Sequence, residues 1–413
     1  MLLLMRILVL GSGGVGSALA SIAARRPFFE ALLLADIHPD RAETAARRCH
    51  DPRVTGTSVD ASSKEAILAL ARSWGATVMV NACDTRFNVP IFDAAFEARC
   101  HYLDMAMHPS HLHPERPTEL CGVKLGDEQF AVHDQWKNAG LLALCAMGIE
   151  PGLSDVFARY ASDHLFSRID EIGVRDGSNI SIDGYDFAPT FSIWTMIEEC
   201  LAPPVIYEKE RGWFTTEPFS EMEVFDFPGG IGPLECVNVE HEEVVLMPRW
   251  LDCGRVTFKY GLGAECIEVL RSIRTLGFDS TTPINVNGSM VTPRSMVAAS
   301  LPNPADLGDR MHGLTCAGTW VKGLDKIGEP REVYLYHLVD NAWTMNEYGH
   351  QAVVWQTAIN PVVALELMAT KVWDTAGVVG PEAFDAVPFL DLLTTYGSPW
   401  ELQERTPAAT HAA

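Results

Sequence analysis

Arg6-Ile-Leu-Val-Leu-Gly-Ser-Gly-Gly-Val-Gly16 is the stretch whose reading decides the fold. Arg6–Leu10 is a short, mostly apolar run of the kind buried on both faces of a parallel sheet. Gly11-Ser12-Gly13-Gly14-Val15-Gly16 then fits G-x-G-x-x-G, and residues of helical composition follow. That string alone is a weak signal. Here it leaves a strand, opens a helix, and stands 20 residues before Asp36, the acidic end of the apolar run 31–37. Together these conditions specify a dinucleotide-binding loop. Gly11 permits the tight turn, Gly13 lets a pyrophosphate approach the helix N-terminus, and Gly16 allows close helix–strand packing. Asp36 accepts hydrogen bonds from ribose hydroxyls and repels a 2′-phosphate, so NAD is favoured over NADP. Arg41, close by in the next helix, softens that preference.

Outward from this stretch, strands and helices alternate. Strands are expected at 31–37, 54–60, 76–83, 101–105 and 140–147, with helices between them. The pattern predicts a Rossmann-type α/β fold, a doubly wound parallel sheet over residues 1–155. Ile37, Asp60 and Ala61 should border the adenosine. Asn81, Ala82, Cys83 and Met147 follow the later strands and should line the cofactor crevice. The character changes at Met147–Ser154. Residues 156–345 are strand-rich with interspersed helices, which predicts an α+β substrate and dimerisation domain with a mixed or antiparallel sheet. Residues 346–404 read as C-terminal helices packing back on the first domain, an apolar pair interrupted at Pro361. Residues 405–413 read as a disordered tail.

The chain has 413 residues, 31 Lys+Arg against 54 Asp+Glu, and a net charge of −23. That charge argues against nucleic-acid binding by phosphate neutralisation and against anionic membrane surfaces. A hydrophobic share of 47% supplies ample core. Ten cysteines are dispersed with no CxxC pair, which fits buried thiols in a reducing cytoplasm. No metal site is expected: His108, His111 and His113 cluster, but nothing completes a ligand set around them. The N-terminal apolar run flows into the glycine loop and reads as a strand, not a signal peptide, and no stretch of about 20 apolar residues suggests a membrane span.

Several strings resemble the saccharopine dehydrogenase-like superfamily, most nearly its carboxynorspermidine dehydrogenase-type enzymes. They are GSGGVG (11–16), MGIEPGLSDVFARYA (147–161), FDFP (225–228), HEE (241–243), LPNPADLGDR (301–310), VYLYHLVD (333–340) and GVVGPEAFDAVPFLDLLTTYGSPW (377–400). The resemblance implies a two-domain, usually dimeric oxidoreductase. Such an enzyme oxidises an amine to an imine with NAD(P), or reduces the imine formed by condensation, on an amino-acid or polyamine-type substrate. Homospermidine synthase-like and lysine 6-dehydrogenase-like activities are alternatives within the resemblance. A non-catalytic NAD-binding sensor is the alternative from another class.

C–N oxidation needs a group to hold or move a proton, and anionic or aromatic surfaces for a cationic centre. His241, in the shared HEE string and beside Glu242, is the leading acid–base candidate. Glu242 itself, Asp104, at the end of HYLD, and Asp186 are further catalytic candidates. Asp183 and Trp194 are expected to hold the amine. Arg310, with Lys259 and Arg294, is expected to meet a substrate carboxylate. His350 is expected to reach the cleft from the C-terminal helices.

Overall fold

The computed structural model describes residues 5–405. Six strands follow from the opening stretch: β1 (Met5–Leu10), β2 (Phe29–Asp36), β3 (Val54–Ser58), β4 (Val78–Asn81), β5 (His101–Asp104) and β6 (Leu142–Leu144). They lie side by side in the order 6-5-4-1-2-3, all parallel. In β1, Ile7, Leu8, Val9 and Leu10 are all fully buried, as a central strand covered by helices on both faces requires. The helices between strands carry ordinary signals. Ser63, for example, caps Lys64–Trp74 by accepting the Ala66 N–H at 3.2 Å.

The second layer begins with β7 (Phe166–Ser178). After it come β8 (Ser181–Ile182), β9 (Val205–Glu208), β10 (Gly212–Thr215), β11 (Glu223–Phe227), β12 (Gly232–Asn238) and β13 (Arg255–Gly261). A hairpin, β14 (Ile284–Val286) and β15 (Ser289–Val291), stands apart before β16 (Met311–His312), β17 (Leu314–Asp325) and β18 (Pro330–Asp340). The main sheet runs 10-9-13-7-17-18, with β12 attached to β13 and β11 to β12. It is mixed: β13 is parallel to β7, and the other pairings are antiparallel. The helix Leu153–Tyr160 ties the layers together, the Ser154 carbonyl accepting the Thr319 hydroxyl at 2.7 Å.

The C-terminal part differs from its sequence expectation. It contains helices, but it also completes both sheets. β19 (Gly377–Val379) lies beside β6 as a seventh parallel strand, and β20 (Glu401–Arg405) pairs with β18. A three-residue strand is too short to show a period, which is why residues 377–379 read as part of a helical region. Arg405 closes β20 opposite Glu332 and is therefore not tail; the rest of the expected tail, 406–413, lies outside the described residues. Pro361 does not interrupt a helix pair either. Ala352–Ala369 is one continuous helix, buried on nearly every face and packed against Gly14–Ala23. Tertiary packing outweighs the roughly 3 kcal/mol that an internal proline costs. This helix is long and apolar enough to cross a membrane, and it lies inside the fold.

Candidate active site

The loop between β1 and the helix Gly14–Ala23 is a cradle closed on two sides and open on the third. A Cβ on Gly11 would sit 2.5 Å from the Ala82 carbonyl oxygen, and one on Gly16 only 2.0 Å from that of Gly11. A Cβ on Gly13 would meet nothing within 4 Å. The helix has no side-chain cap, so its first N–H groups face that open side. The Ser12 hydroxyl is buried there with no partner among the described residues. The Ser12 N–H donates to Asp36 Oδ2 at 2.9 Å, and the His38 N–H to Oδ1 at 3.0 Å. Arg41 Nη1 lies 3.6 Å from the same carboxylate. These groups fit a dinucleotide: an opening for phosphate, a spare hydroxyl, and a fixed acceptor for a ribose diol.

A cleft of about 1050 Å³ opens where the carboxyl ends of the parallel strands face the mixed sheet. Val15, Ala82, Cys83 and Met105 line its cofactor side; Glu150, Asp176, Glu199, His241, Glu242 and Tyr260 line the other. His241 lies in the turn between β12 and the helix Glu243–Trp250. Its ring stacks on Phe258 with centroids 3.8 Å apart. Nδ1 is 2.5 Å from Glu243 Oε2 and 3.5 Å from Glu242 Oε2; Nε2 is 3.3 Å from the Tyr260 hydroxyl. Ser154 Oγ donates to the other Glu243 oxygen at 2.8 Å. Burial pushes the imidazolium down, but Glu243, Glu242 and Glu199 more than reverse this and hold His241 at about 10. His241 is thus a charged acid at neutral pH. Burial pushes Glu199 up to about 8, and the neighbouring Glu240 up to about 7.

Comparison with protein-family models matches the saccharopine dehydrogenase NADP binding domain over residues 7–144 and the saccharopine dehydrogenase C-terminal domain over residues 148–398. The chain belongs to the saccharopine dehydrogenase family. It is an NAD(P)-dependent oxidoreductase. Carboxynorspermidine synthase of Vibrio cholerae is 28% identical over 424 residues, spanning 98% of each chain. Carboxyaminopropylagmatine dehydrogenase of Synechocystis is 28% identical over 396 residues, spanning 96% of each. The apo structure of saccharopine dehydrogenase (L-Glu forming) from Saccharomyces cerevisiae shares the fold, with a TM-score of 0.70 at 11% identity over 97% of this chain and 100% of that one.

Within this family fold, the expected site residues divide. The Gly11–Gly16 loop, Asp36, Ala82, Cys83, His241 and Glu242 stand together around the crevice and cleft. Glu242 Oε1 also accepts the Met107 N–H at 3.0 Å. Ile37 is 62% exposed on the outer flank of Asp36. Asp60 accepts from Ser62 N–H and Oγ at 2.9 and 2.7 Å, with Ala61 half-buried beside it. Asp183 and Asp186 line the exposed mouth of the cleft, Asp183 pairing with His312 at 3.0 Å.

Other expectations are corrected. Asn81 turns inward, 2.5 Å from Asn88 Oδ1, and accepts the Cys83 N–H at 3.0 Å; it shapes the turn instead of facing the cofactor. Met147 is wholly buried, and Met105 and Ile149 line the cleft in its place. Asp104 is enclosed, its oxygens held by the Ala146 N–H at 2.6 Å and Gln129 Nε2 at 2.8 Å, so it has no opening to substrate. Trp194 stands outside the cleft lining, with Arg86 and Arg294 each 5.1 Å from its ring centroid; cations of the chain already occupy its π surface. Arg310 stacks 4.9 Å over Tyr185 and braces the rim loop, and Lys259 is held by Glu223 at 2.8 Å. His350 is remote from the cleft, 3.2 Å from Ser21 Oγ, and burial pushes it down to about 4. No metal was expected, yet donor atoms of His241, Glu242 and Glu243 lie within 4.8 Å of one another. Within that group His241 Nδ1 and Glu243 Oε2 are 2.5 Å apart and hydrogen-bonded to each other. Asp176, Glu199 and Tyr260, from three separate elements, and Glu150, from the connector after β6, also line the cleft, and only the fold brings them together.

The enclosed carboxyls set a pH dependence of stability. Burial pushes Asp104, Asp176, Glu240 and Glu382 up to about 7, and Glu199 to about 8. A carboxyl raised on folding favours the fold while protonated. Its contribution is complete below its ordinary value near about 4 and is lost as pH rises through the folded value. His241 has the same sign: its contribution is complete below about 6.5 and lost as pH rises through 10. Scanning calorimetry should therefore find a Tm several degrees higher at about pH 6 than at about pH 8.5. A Tm that rises over that interval would contradict the assignment.

Proposed function

We propose that the enzyme acts on a C–N bond of a cationic amino-acid or polyamine-type substrate, oxidising amine to imine or reducing the imine formed when an amine condenses with a carbonyl compound. The carrying observation is His241, charged by Glu243 and facing the cofactor side of a cleft walled by carboxyls. The relatives named carboxynorspermidine synthase and carboxyaminopropylagmatine dehydrogenase support a polyamine-type substrate. The nicotinamide, when bound, supplies or accepts the hydride. In the condensing direction, His241 protonates the oxygen that leaves as water; in the oxidising direction it takes that proton back. The carboxyls stabilise the cationic carbon–nitrogen centre. The test is reduced-nicotinamide absorbance with amines, amino acids and polyamines alone, and with amine–carbonyl pairs. Turnover that depends on an amine is the expected result; silence across the whole panel would overturn the proposal.

NAD is the favoured cofactor in this reading. Asp36 is buried and fixed by two backbone N–H groups, so a 2′-phosphate would meet a carboxylate that cannot swing away. Replacing Asp36 with Ala should raise the NADP:NAD ratio of kcat/KM at least about tenfold, the loss of roughly 1.4 kcal/mol of charge repulsion. An unchanged ratio would show that Arg41 alone reads the ribose. The same reading takes the enzyme as a homodimer in the cytoplasm. Ten free thiols support the compartment, and Ile284, Val286 and Met290, exposed on the free-standing β14–β15 hairpin, support a covered face. A monomer mass by light scattering would remove the dimer.

A further inference from the structure

Both ring nitrogens of His241 are already engaged. Nδ1 is held 2.5 Å from Glu243 Oε2, and Nε2 lies 3.3 Å from the Tyr260 hydroxyl. The proton credited to His241 above therefore needs a path to the substrate. Nδ1 offers none. Glu243 is wholly buried with its other oxygen on Ser154, and Glu242, 3.5 Å from Nδ1, is fixed by the Met107 N–H. Nε2 does lead into the cleft. The Tyr260 hydroxyl, on β13, donates in turn to Oε2 of Glu199, on the helix Ile193–Leu201, at 3.4 Å. Glu199 is half-buried and lines the cleft, and its Oε1 has no hydrogen-bond partner among the described residues. Links of this length are the rule before substrate closes a site around its catalytic groups.

We infer that Glu199 is the group that exchanges the proton with substrate, and that Tyr260 relays it from His241. The inference rests on the amine reading above and names the atom at which the proton leaves the protein. In the condensing direction the Glu199 proton goes to the leaving oxygen as the carbon–oxygen bond breaks and the nitrogen lone pair forms the carbon–nitrogen double bond. Ionised Glu199 then faces the cationic centre it has helped to make. A tyrosine hydroxyl donates one hydrogen while accepting another, so the chain can refill Glu199 in one shift. Nε2–H passes its proton to Tyr260, and Tyr260 passes its own to Glu199. One N–H and one O–H bond break, two O–H bonds form, and no electrons move. The groups facing Tyr260 and Glu199 are Glu150 from the connector after β6, Asp176 on β7, Glu198 and Cys200 on the helix, and Glu242 and Glu243 beside His241. None of these is a cation, so His241 is the one charged donor that the chain can draw on.

The test is the single-turnover rate of reduced-nicotinamide consumption, with the amine–carbonyl pair of the panel above that wild type turns over fastest. Tyr260→Phe removes the hydroxyl and keeps the ring that packs edge-on to Phe258 at 4.9 Å. It should lower the rate at least about tenfold with NAD affinity and Tm unchanged. Glu199→Gln should lower it about 10²–10³-fold. The double variant Tyr260→Phe/His241→Gln should lose no more than His241→Gln alone, because both break one path; a merely structural tyrosine would add its own loss. The wild-type rate should fall as pH rises through about 8, where burial places Glu199, and that limb should be missing from Glu199→Gln. A wild-type rate in Tyr260→Phe or Glu199→Gln, additive losses in the double variant, or a limb that survives in Glu199→Gln would overturn the inference and leave the amine reading standing. Silence of wild type across the whole panel would overturn both.

Discussion

His241→Gln should lower turnover of the amine substrate by about 10²–10³-fold while leaving NAD affinity unchanged. Glutamine can still donate to Glu243, so the buried carboxylate keeps a partner. It cannot carry the charge or the transferable proton. The loss should fall on kcat, and NAD titration by fluorescence should give the wild-type Kd, because the Gly11–Gly16 loop and Asp36 are separate from this turn. His241→Ala adds a structural loss. Glu243 is wholly buried and would keep only Ser154 as a side-chain partner. An uncompensated buried charge costs about 3–5 kcal/mol, so the alanine variant should melt well below the glutamine one. Wild-type turnover in His241→Gln would remove this residue from the chemistry.

The second large effect belongs to the glycine loop, where neighbouring positions should fail differently. In Gly16→Ala the new methyl would lie 2.0 Å from the Gly11 carbonyl oxygen. Both partners are backbone, so no side chain can yield and the loop must deform. Cofactor affinity should fall at least about 100-fold, and the Tm should fall with it. Gly13→Ala meets nothing within 4 Å, and its φ of −68° suits alanine. It should fold normally, yet lose cofactor affinity about 10–100-fold, because its methyl fills the opening meant for phosphate. Equal Tm losses in both variants would show that the open side of the cradle is structural.

The contrast between these residues shows what a sequence can and cannot disclose. The loop and Asp36 were legible because backbone chemistry ties glycine and carboxylate to fixed offsets from one strand. His241 was legible through its string and its acidic neighbours. Asp104 and Met147 occupy the right end of the right strands, but strand position does not say which way a side chain is satisfied; Gln129 and the Ala146 N–H claim Asp104 inside. Trp194 and His350 were plausible by residue type, and each is engaged by groups far along the chain. Glu150 and Asp176 reach one cleft from different segments, and no local period announces that. The doubly wound sheet was readable from alternation, whereas β19 was hidden because three residues carry no pattern.

That hidden strand bears on how the protein comes to exist. Gly377 pairs with Leu142, and β20 closes the other sheet only at Arg405. A nascent chain therefore leaves the β6 edge bare until Gly377–Val379 has been synthesised, and neither sheet is finished before these late pairings form. Pairing across such a separation is slow, and an open edge invites pairing with other chains. Premature termination before Gly377 would leave the glycine loop intact in sequence but set in an unfinished, aggregation-prone sheet. The three residues of β19 thus decide whether a complete first layer is ever assembled.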